Sequence, residues 1–561
     1  MTQRDSQSVE RIAARLRGDA ARAWAVMRRQ GPSQAQFWLI ALLIGTAAGF
    51  AALGFRIGIS ALQTALYGTD DMRLASVART LPWYWVLAVP VLGGLVVGVI
   101  LHRFTPDGRV RAVADVIEGA ALNRGRVEVK AGLASALASL VTLSSGGSSG
   151  REGPVVHLAG VISTWVADRI NASGMTGRDL LGCAVAGAVS ASFNAPIAGT
   201  LFALEVVLRH FAVHAFAPIA IAAVAGTVIN RLKFGDVTEF TLPADAGLAF
   251  YVELPAFLIL GLVSGLVAVA LMKAIFWAED VASAVQARTG LPRWLRPAVA
   301  GLLLGLLAIP FPHIIGVGYE TTSAALTGGI GLSEAIAFAV VKTLAVAITL
   351  GGRMGGGVFS PSLVIGALTG LAFGLVATGL LPEVSGTETL YALAGMGAVA
   401  AAVLGAPIST AMIVFELTGD WQTGLAVMCA VSLSTALASR MVDRSFFLTQ
   451  LERREVHLAA GPQAYLLATL MVTGVMRPAG SGAAPPEAEA WALVEAGTFV
   501  GEQRTLEAAM PLFESTGAAF LPVVRLGGEG EAPELLGTLH HVDALRAYNR
   551  ALADTAAEEH S

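Results

Sequence analysis

The chain has 561 residues, 55% hydrophobic and 14% charged, with mean hydropathy +0.67 and a formal net charge of −4. A soluble globular chain carries about 25% charged residues, so the composition excludes a water-soluble protein over most of the length and makes lipid its solvent. Charge is also segregated: residues 1–34 hold seven Arg against three acids, residues 461–561 hold five Arg against thirteen acids, and the stretch between balances to zero.

Taken in order, residues 1–34 read as a polar cytoplasmic lead whose Ala/Arg helical pattern suits a membrane surface better than a nucleic acid. The first apolar run begins near Phe37, too late and without the small-residue site of a cleaved signal peptide. Further runs of spanning or near-spanning length begin near Trp83, Pro255, Ala298 and Ala335, with more through the second half. Many are dense in Gly and Ala and broken by Gly or Pro, which fits closely packed and discontinuous helices. A first membrane half is expected over 35–245 and a second over 246–458, joined by the polar loop 236–245. Arg440, Arg444, Arg453 and Arg454 follow the last apolar run, placing both termini in the cytoplasm. From about 461 charge rises, a Pro/Ala/Gly linker occupies 478–486, and a soluble α/β pattern follows. Residues 505–516 read as a helix, 519–524 as a buried strand and 542–552 as a helix, within a module over 473–552. Cys183 and Cys429 lie in apolar surroundings and read as packing residues.

Two frames with the same Gly-x-x-x-Pro spacing carry the chemistry: Gly150-Arg151-Glu152-Gly153-Pro154 and Gly357-Val358-Phe359-Ser360-Pro361. Each is followed by a second shared pattern, Ala195-Pro196-Ile197 running to Glu205 and Ala406-Pro407-Ile408 running to Glu416. Recurrence at this long period marks a duplicated membrane unit whose broken helices meet near the bilayer midplane. Gly150 and Gly153 leave backbone N–H groups uncovered, and Pro154 suits a first helical turn. Helix starts at both frames aim unpaired N–H groups and positive dipole ends at whatever lies between them, an anion site without a fixed cation. Glu152 is an ionisable residue within the membrane, where such groups are rare and functional. As a tethered anion it can fill the site when ionised and leave it when protonated or displaced.

These frames, together with Ser192-Phe193-Asn194-Ala195-Pro196 and Leu201-Phe202-Ala203-Leu204-Glu205, resemble the CLC family of chloride channels and H+/Cl− exchange transporters over roughly residues 35–455. The resemblance implies an all-α integral membrane protein built from two inverted repeats of tilted, broken helices. It implies a homodimer in the cell membrane with one pore per subunit, Glu152 as the gate, and Val358 and Phe359 offering backbone amides to a bound chloride. Gly150, Arg151, Gly153 and Gly357 belong to the same frames. The chain departs from the family pattern in three places. Ala112 stands at the family's pore serine, Phe447 at its pore tyrosine, and Val206 where proton-coupled members carry a glutamate. The last favours channel-like conduction, with proton-coupled antiport as the alternative. The tail resembles a single cystathionine-β-synthase (CBS) motif through Val475-Met476-Arg477-Pro478, Leu521-Pro522-Val523-Val524 and Leu536-Gly537-Thr538 to Asp543. His540 replaces the threonine of nucleotide-binding copies, so a structural or dimer-contact role is expected, with no nucleotide or other cofactor.

Gly146-Gly147-Ser148-Ser149-Gly150 also satisfies the hydrolase elbow G-x-S-x-G. That elbow needs a preceding strand and acid and histidine partners, whereas His157 lies about two helical turns from Ser149. The nine histidines show no metal-ligand spacing. A non-enzymatic transporter of small anions is the expectation, with an intramembrane serine hydrolase as a distant alternative.

Overall fold

The computed structural model describes residues 32–559 apart from 212, 236–252, 383–384, 457, 459–465, 468–469, 483 and 527–532. Most of the 1–34 lead and the 236–245 join therefore lie outside the described residues. The first half begins with α1 (Gln34–Tyr67), whose start is fixed by a capping box between Ser33 and Gln36 and whose end is Gly68 in the left-handed region. A short α2 (Leu74–Ala78) leads to α3 (Trp83–Phe104), tied back to α1 by Trp85 Nε1 donating to the Leu66 carbonyl at 2.8 Å. There follow α4 (Val113–Leu122), α5 (Val129–Ser144), α6 (Glu152–Arg169), α7 (Gly174–Phe193), α8 (Pro196–Phe202) with a π-helical turn over Ala203–Leu208, and α9 (Val213–Phe234).

The second half runs through α10 (Leu254–Thr289), a 3₁₀ turn at Arg293–Leu295, α11 (Arg296–Ala308), α12 (Tyr319–Leu326) and α13 (Leu332–Gly351). It continues with α14 (Phe359–Leu380), α15 (Glu388–Leu404), α16 (Pro407–Thr418), α17 (Trp421–Met441) and α18 (Phe446–Glu452). Among the described residues, seven helices are long and apolar enough to cross a membrane, while Pro196–Leu208 and Pro407–Thr418 are short apolar pieces. Small residues let the helices touch backbone to backbone. A Cβ added at Gly226 of α9 would lie 2.1 Å from the Gly187 carbonyl of α7, and one at Gly366 of α14 would lie 2.4 Å from the Gly395 carbonyl of α15.

The repeated Ala-Pro-Ile…Glu pattern acquires a physical meaning here. Glu205 accepts hydrogen bonds from the backbone N–H groups of Ile408 (3.0 Å) and Ser409 (2.8 Å) at the start of α16. Glu416 accepts from Ile197 (3.0 Å) and Ala198 (2.7 Å) at the start of α8. Each half thus supplies the carboxylate that caps a helix of the other, satisfying donors that no turn of the same helix can reach.

The tail forms α19 (Val472–Val475), β1 (Arg477–Pro478), α20 (Glu487–Glu495), β2 (Val500–Gly501), α21 (Leu506–Thr516), β3 (Phe520–Arg525), β4 (Glu534–His540) and α22 (His541–Glu559). Its sheet has the order β1-β4-β3-β2, with β2 and β3 parallel and the other pairs antiparallel. Leu506, Phe513, Leu521, Val523 and Leu539 fill its core, and Arg477 Nε donates to Asp543 Oδ2 at 2.7 Å, joining the first and last parts of the motif. The helix expected over 542–552 begins at His541 and runs longer, to Glu559. The module docks on the membrane unit through Arg209–Glu507 (3.3 Å), with Glu507 only 3% exposed, and through Arg504 donating to Asn123 Oδ1 at 3.2 Å.

Candidate functional site

Gly355 and Gly356 have φ of +107° and +109°, which only glycine adopts without strain. They turn the chain so that Gly357 lies against Gly150, and the two residues exchange N–H···O bonds of 2.7 Å in both directions. This small antiparallel bridge sets the start of α6 beside the start of α14. Pro154 and Pro361 each fall in the first turn of their helix, where the missing N–H removes nothing. The first amides of each helix have no intrahelical acceptor.

Between the two starts is a cavity of about 30 Å³, walled among others by Ala112, Glu152, Gly153, Phe359, Phe447 and Gln450, roughly the share of one water molecule. Gly357 and Val358 complete this wall. Glu152 is 2% exposed, and its Oε1 accepts a 2.5 Å hydrogen bond from Ser360 Oγ in the first turn of α14. A Cβ added at Gly150 would lie 2.6 Å from Glu152 Oε2, so the glycine makes room for the folded-back carboxylate. Phe359 packs against Phe193 and Phe202, with ring centroids 4.7 and 5.8 Å away, giving one side of the cavity an aromatic lining.

Two of the sequence-predicted residues stand outside this wall. Gly150 is engaged in the bridge to Gly357. Arg151 turns away: its guanidinium donates to the Ser192 carbonyl at 3.0 Å, lies over the Tyr319 ring, and borders a separate cavity of about 60 Å³ beside Asp71. Neighbours at a helix start point about 100° apart, so adjacency in sequence does not give adjacency in the site.

The far wall differs from the family pattern in a definite way. At the start of α4 the Ala112 N–H donates to Asp115 Oδ2 at 2.8 Å, while Asp115 Oδ1 holds Arg454 at 2.9 Å. Helix α4 therefore presents a methyl group and an amide already bound, and the Arg454–Asp115 pair fixes α18 beside it. Phe447 adds a ring that is 4% exposed. Gln450, one turn further along α18, is the feature that sequence reasoning missed. It shares the cavity wall with Phe447, and no hydrogen bond ties its amide to another described residue. Val206 is buried in the π-helical turn, next to a Glu205 already engaged in capping α16.

The serine run serves packing. A Cβ at Gly356 would come within 2.0 Å of Ser149 Oγ. The Ser148 hydroxyl has no hydrogen-bond partner among the described residues that could activate it, and its backbone N–H donates to Thr349 Oγ1 at 3.0 Å. His157 instead packs on Gly132 of α5. Among the described residues no group of three His, Cys, Asp or Glu side chains could hold a metal ion.

A multi-pass bundle in which two half-length repeats cap one another and set two helix starts around an ion-sized cavity defines a membrane transport protein. The particular family follows from comparison: residues 93–439 match the voltage-gated chloride channel family, and the chain belongs to it, the CLC family. The ClcB-like chloride channel protein of Ralstonia nicotianae is 34% identical over 398 residues, covering 70% of this chain and 91% of that one. In fold, the chain is similar to a slow cyanobacterial Cl−/H+ antiporter, with TM-score 0.66 and 20% identity, covering 75% of this chain and 98% of that one. It is also similar to a eukaryotic CLC transporter, with TM-score 0.64 and 17% identity over 93% of this chain and 98% of that one.

Proposed function

We propose that the chain conducts small anions, chloride by default, through the cavity between α6 and α14, and that Glu152 is its gate. The observation that carries this reading is the Glu152 carboxylate lodged against the start of α14 and held by Ser360 Oγ at 2.5 Å. A helix start that accommodates a carboxylate accommodates a dehydrated halide by the same N–H groups and dipole. Binding by dipoles, without a fixed cation in the cavity wall, is strong enough to admit an ion and weak enough to release it. Glu152 and the ion compete for one place, so protonation of the carboxylate or a rising anion concentration opens the path. Phe447 and Gln450 line the cavity, and the Gln450 amide offers a side-chain donor there in place of the hydroxyls that Ala112 and Phe447 lack.

Passive conduction is favoured over proton-coupled antiport. Val206 cannot carry a proton, and the neighbouring Glu205 is engaged with two backbone N–H groups of α16. The reading further places one pore in each subunit of a homodimer in the cell membrane, both termini cytoplasmic, with the CBS-like module acting as a structural contact without bound nucleotide. Two flux measurements on reconstituted vesicles test it. Glu152→Gln is expected to keep anion flux and abolish its pH dependence; retained pH dependence would contradict the gate. A chloride gradient is expected to drive no proton uptake, and stoichiometric uptake would establish the antiporter instead.

A further inference from the structure

Away from the cavity, the ends of α3, α5 and α11 surround two adjoining clefts of about 890 and 660 Å³ that share Pro292 and Arg293. His102, Arg103 and Lys130 line the larger, and Arg109, Arg296 and Arg353 join Arg293 in the smaller. One acid faces each cleft, Glu128 in the larger and Asp107 in the smaller, and Arg111 already holds both at 2.9 Å. Arg296 is 4% exposed, yet its guanidinium is met by neutral acceptors alone: the Gly351 and Glu279 carbonyls, Ser283 Oγ and Gln286 Oε1. Arg353 has φ +59°, a left-handed backbone for a non-glycine residue, and its buried Nε has no hydrogen-bond partner among the described residues. Among the described residues, no carboxylate lies within ion-pair distance of Arg109, Arg293, Arg296 or Arg353.

Cations drawn out of water require a counter-charge; here Glu279 acts on Arg296 and Arg353, and Asp107 on Arg353, only from beyond ion-pair distance, and Asp107 is already held by Arg111. We infer that this groove binds the phosphate of an anionic phospholipid. Guanidinium groups converging from three segments match phosphate oxygens in bidentate fashion. The surroundings select a lipid as the source of that phosphate. Val96 and Val99 on α3, Leu133 and Leu137 on α5, and Val299 and Leu303 on α11 are apolar and 43–53% exposed, so the helices that end in the groove present a bilayer-facing surface for acyl chains. Phe104 and Trp294 sit at the boundary between that surface and the cations, as aromatic residues do at the headgroup level. The inner end of the groove touches both loops of the ion cavity, because Asp107–Arg111 leads into Ala112 and Arg353 precedes Gly355–Gly357. A bound headgroup therefore braces the two loops that shape the ion path.

Native mass spectrometry of the full chain, purified with added phosphatidylglycerol, tests this. The unaltered chain is expected to retain a tightly held phosphatidylglycerol. The variants Arg293→Ala and Lys130→Ala are expected to weaken that retention by at least about tenfold, while Arg293→Lys keeps much of it and Arg288→Ala, outside the groove, keeps all of it. Phosphatidylcholine is not retained, and millimolar inorganic phosphate does not displace the lipid. Equal retention in all variants, equal retention of phosphatidylcholine, or displacement by inorganic phosphate would each overturn the inference, the last by making free phosphate the ligand.

Discussion

Removing a single hydroxyl by Ser360→Ala probes the gate without touching the carboxylate. Ser360 is 2% exposed and its Oγ donates to Glu152 Oε1 at 2.5 Å, so the bond is sequestered from bulk solvent. A hydrogen bond to a charged group contributes about 1.5–3 kcal/mol, which changes the ratio of lodged to displaced carboxylate by about 10- to 150-fold. The sign follows from the donor. The hydroxyl stabilises the ionised, lodged carboxylate, so its loss makes protonation and displacement easier and opens the path at higher pH. The midpoint of the flux–pH curve is expected to rise by about 1–2 pH units, and flux at neutral pH is expected to increase. The assay is chloride efflux from reconstituted vesicles, followed with a chloride electrode across the acid-to-neutral range, with Glu152→Gln as the pH-independent reference. A Ser360→Ala curve that overlays the unaltered one would refute the reasoning, since it would mean that the lodged carboxylate does not limit flux.

Three further outcomes are expected. Glu416→Ala strips two N–H groups of α8 of their acceptor; because the glutamate is half-buried and water replaces it in part, the cost should be about 1–3 kcal/mol. This appears as a lowered unfolding midpoint in detergent, and Glu205→Ala should add to it nearly independently, since each carboxylate holds a different helix. Gln450→Leu removes the amide donor from the cavity wall, so flux of the strongly hydrated fluoride should fall relative to thiocyanate in a competition assay, while an unchanged ratio would remove Gln450 from the ion path. Burial pushes the Glu507 carboxyl above its ordinary range, against the pull of Arg209 and Arg178. A raised carboxyl favours the docked module while protonated, and this contribution is lost as pH rises through the raised value. Protection of the amides of α21 (Leu506–Thr516) from hydrogen exchange should therefore decrease from mildly acidic to neutral pH, and Glu507→Gln should flatten the trend.

Local constraints made much of the fold legible from sequence. The apolar runs near Phe37, Trp83, Pro255, Ala298 and Ala335 correspond to α1, α3, α10, α11 and α13, because lipid-facing length is written into composition. The Gly-x-x-x-Pro frames marked the starts of α6 and α14, since glycine and proline restrict the backbone wherever they occur. The eight-residue run from Pro-Ile to Glu was visible as a repeat, but not as a pair of reciprocal caps. That meaning depends on contacts 203 and 219 residues apart. Gln450 carried no signal, because one polar residue on a seven-residue helix has no period to place it inside or out. The direction of the Arg151 side chain was equally hidden, because the helix start turns this charge, adjacent to Glu152 in sequence, toward Ser192.

The most direct test of two opposed helix starts cradling an anion is anomalous diffraction from crystals of Glu152→Gln grown in bromide. A bromide peak is expected between the starts of α6 and α14, within contact of the Val358 and Phe359 amides and facing Phe447 and Gln450. Bromide bound elsewhere, with that cavity empty or filled by the substituted side chain at every bromide concentration, would contradict it.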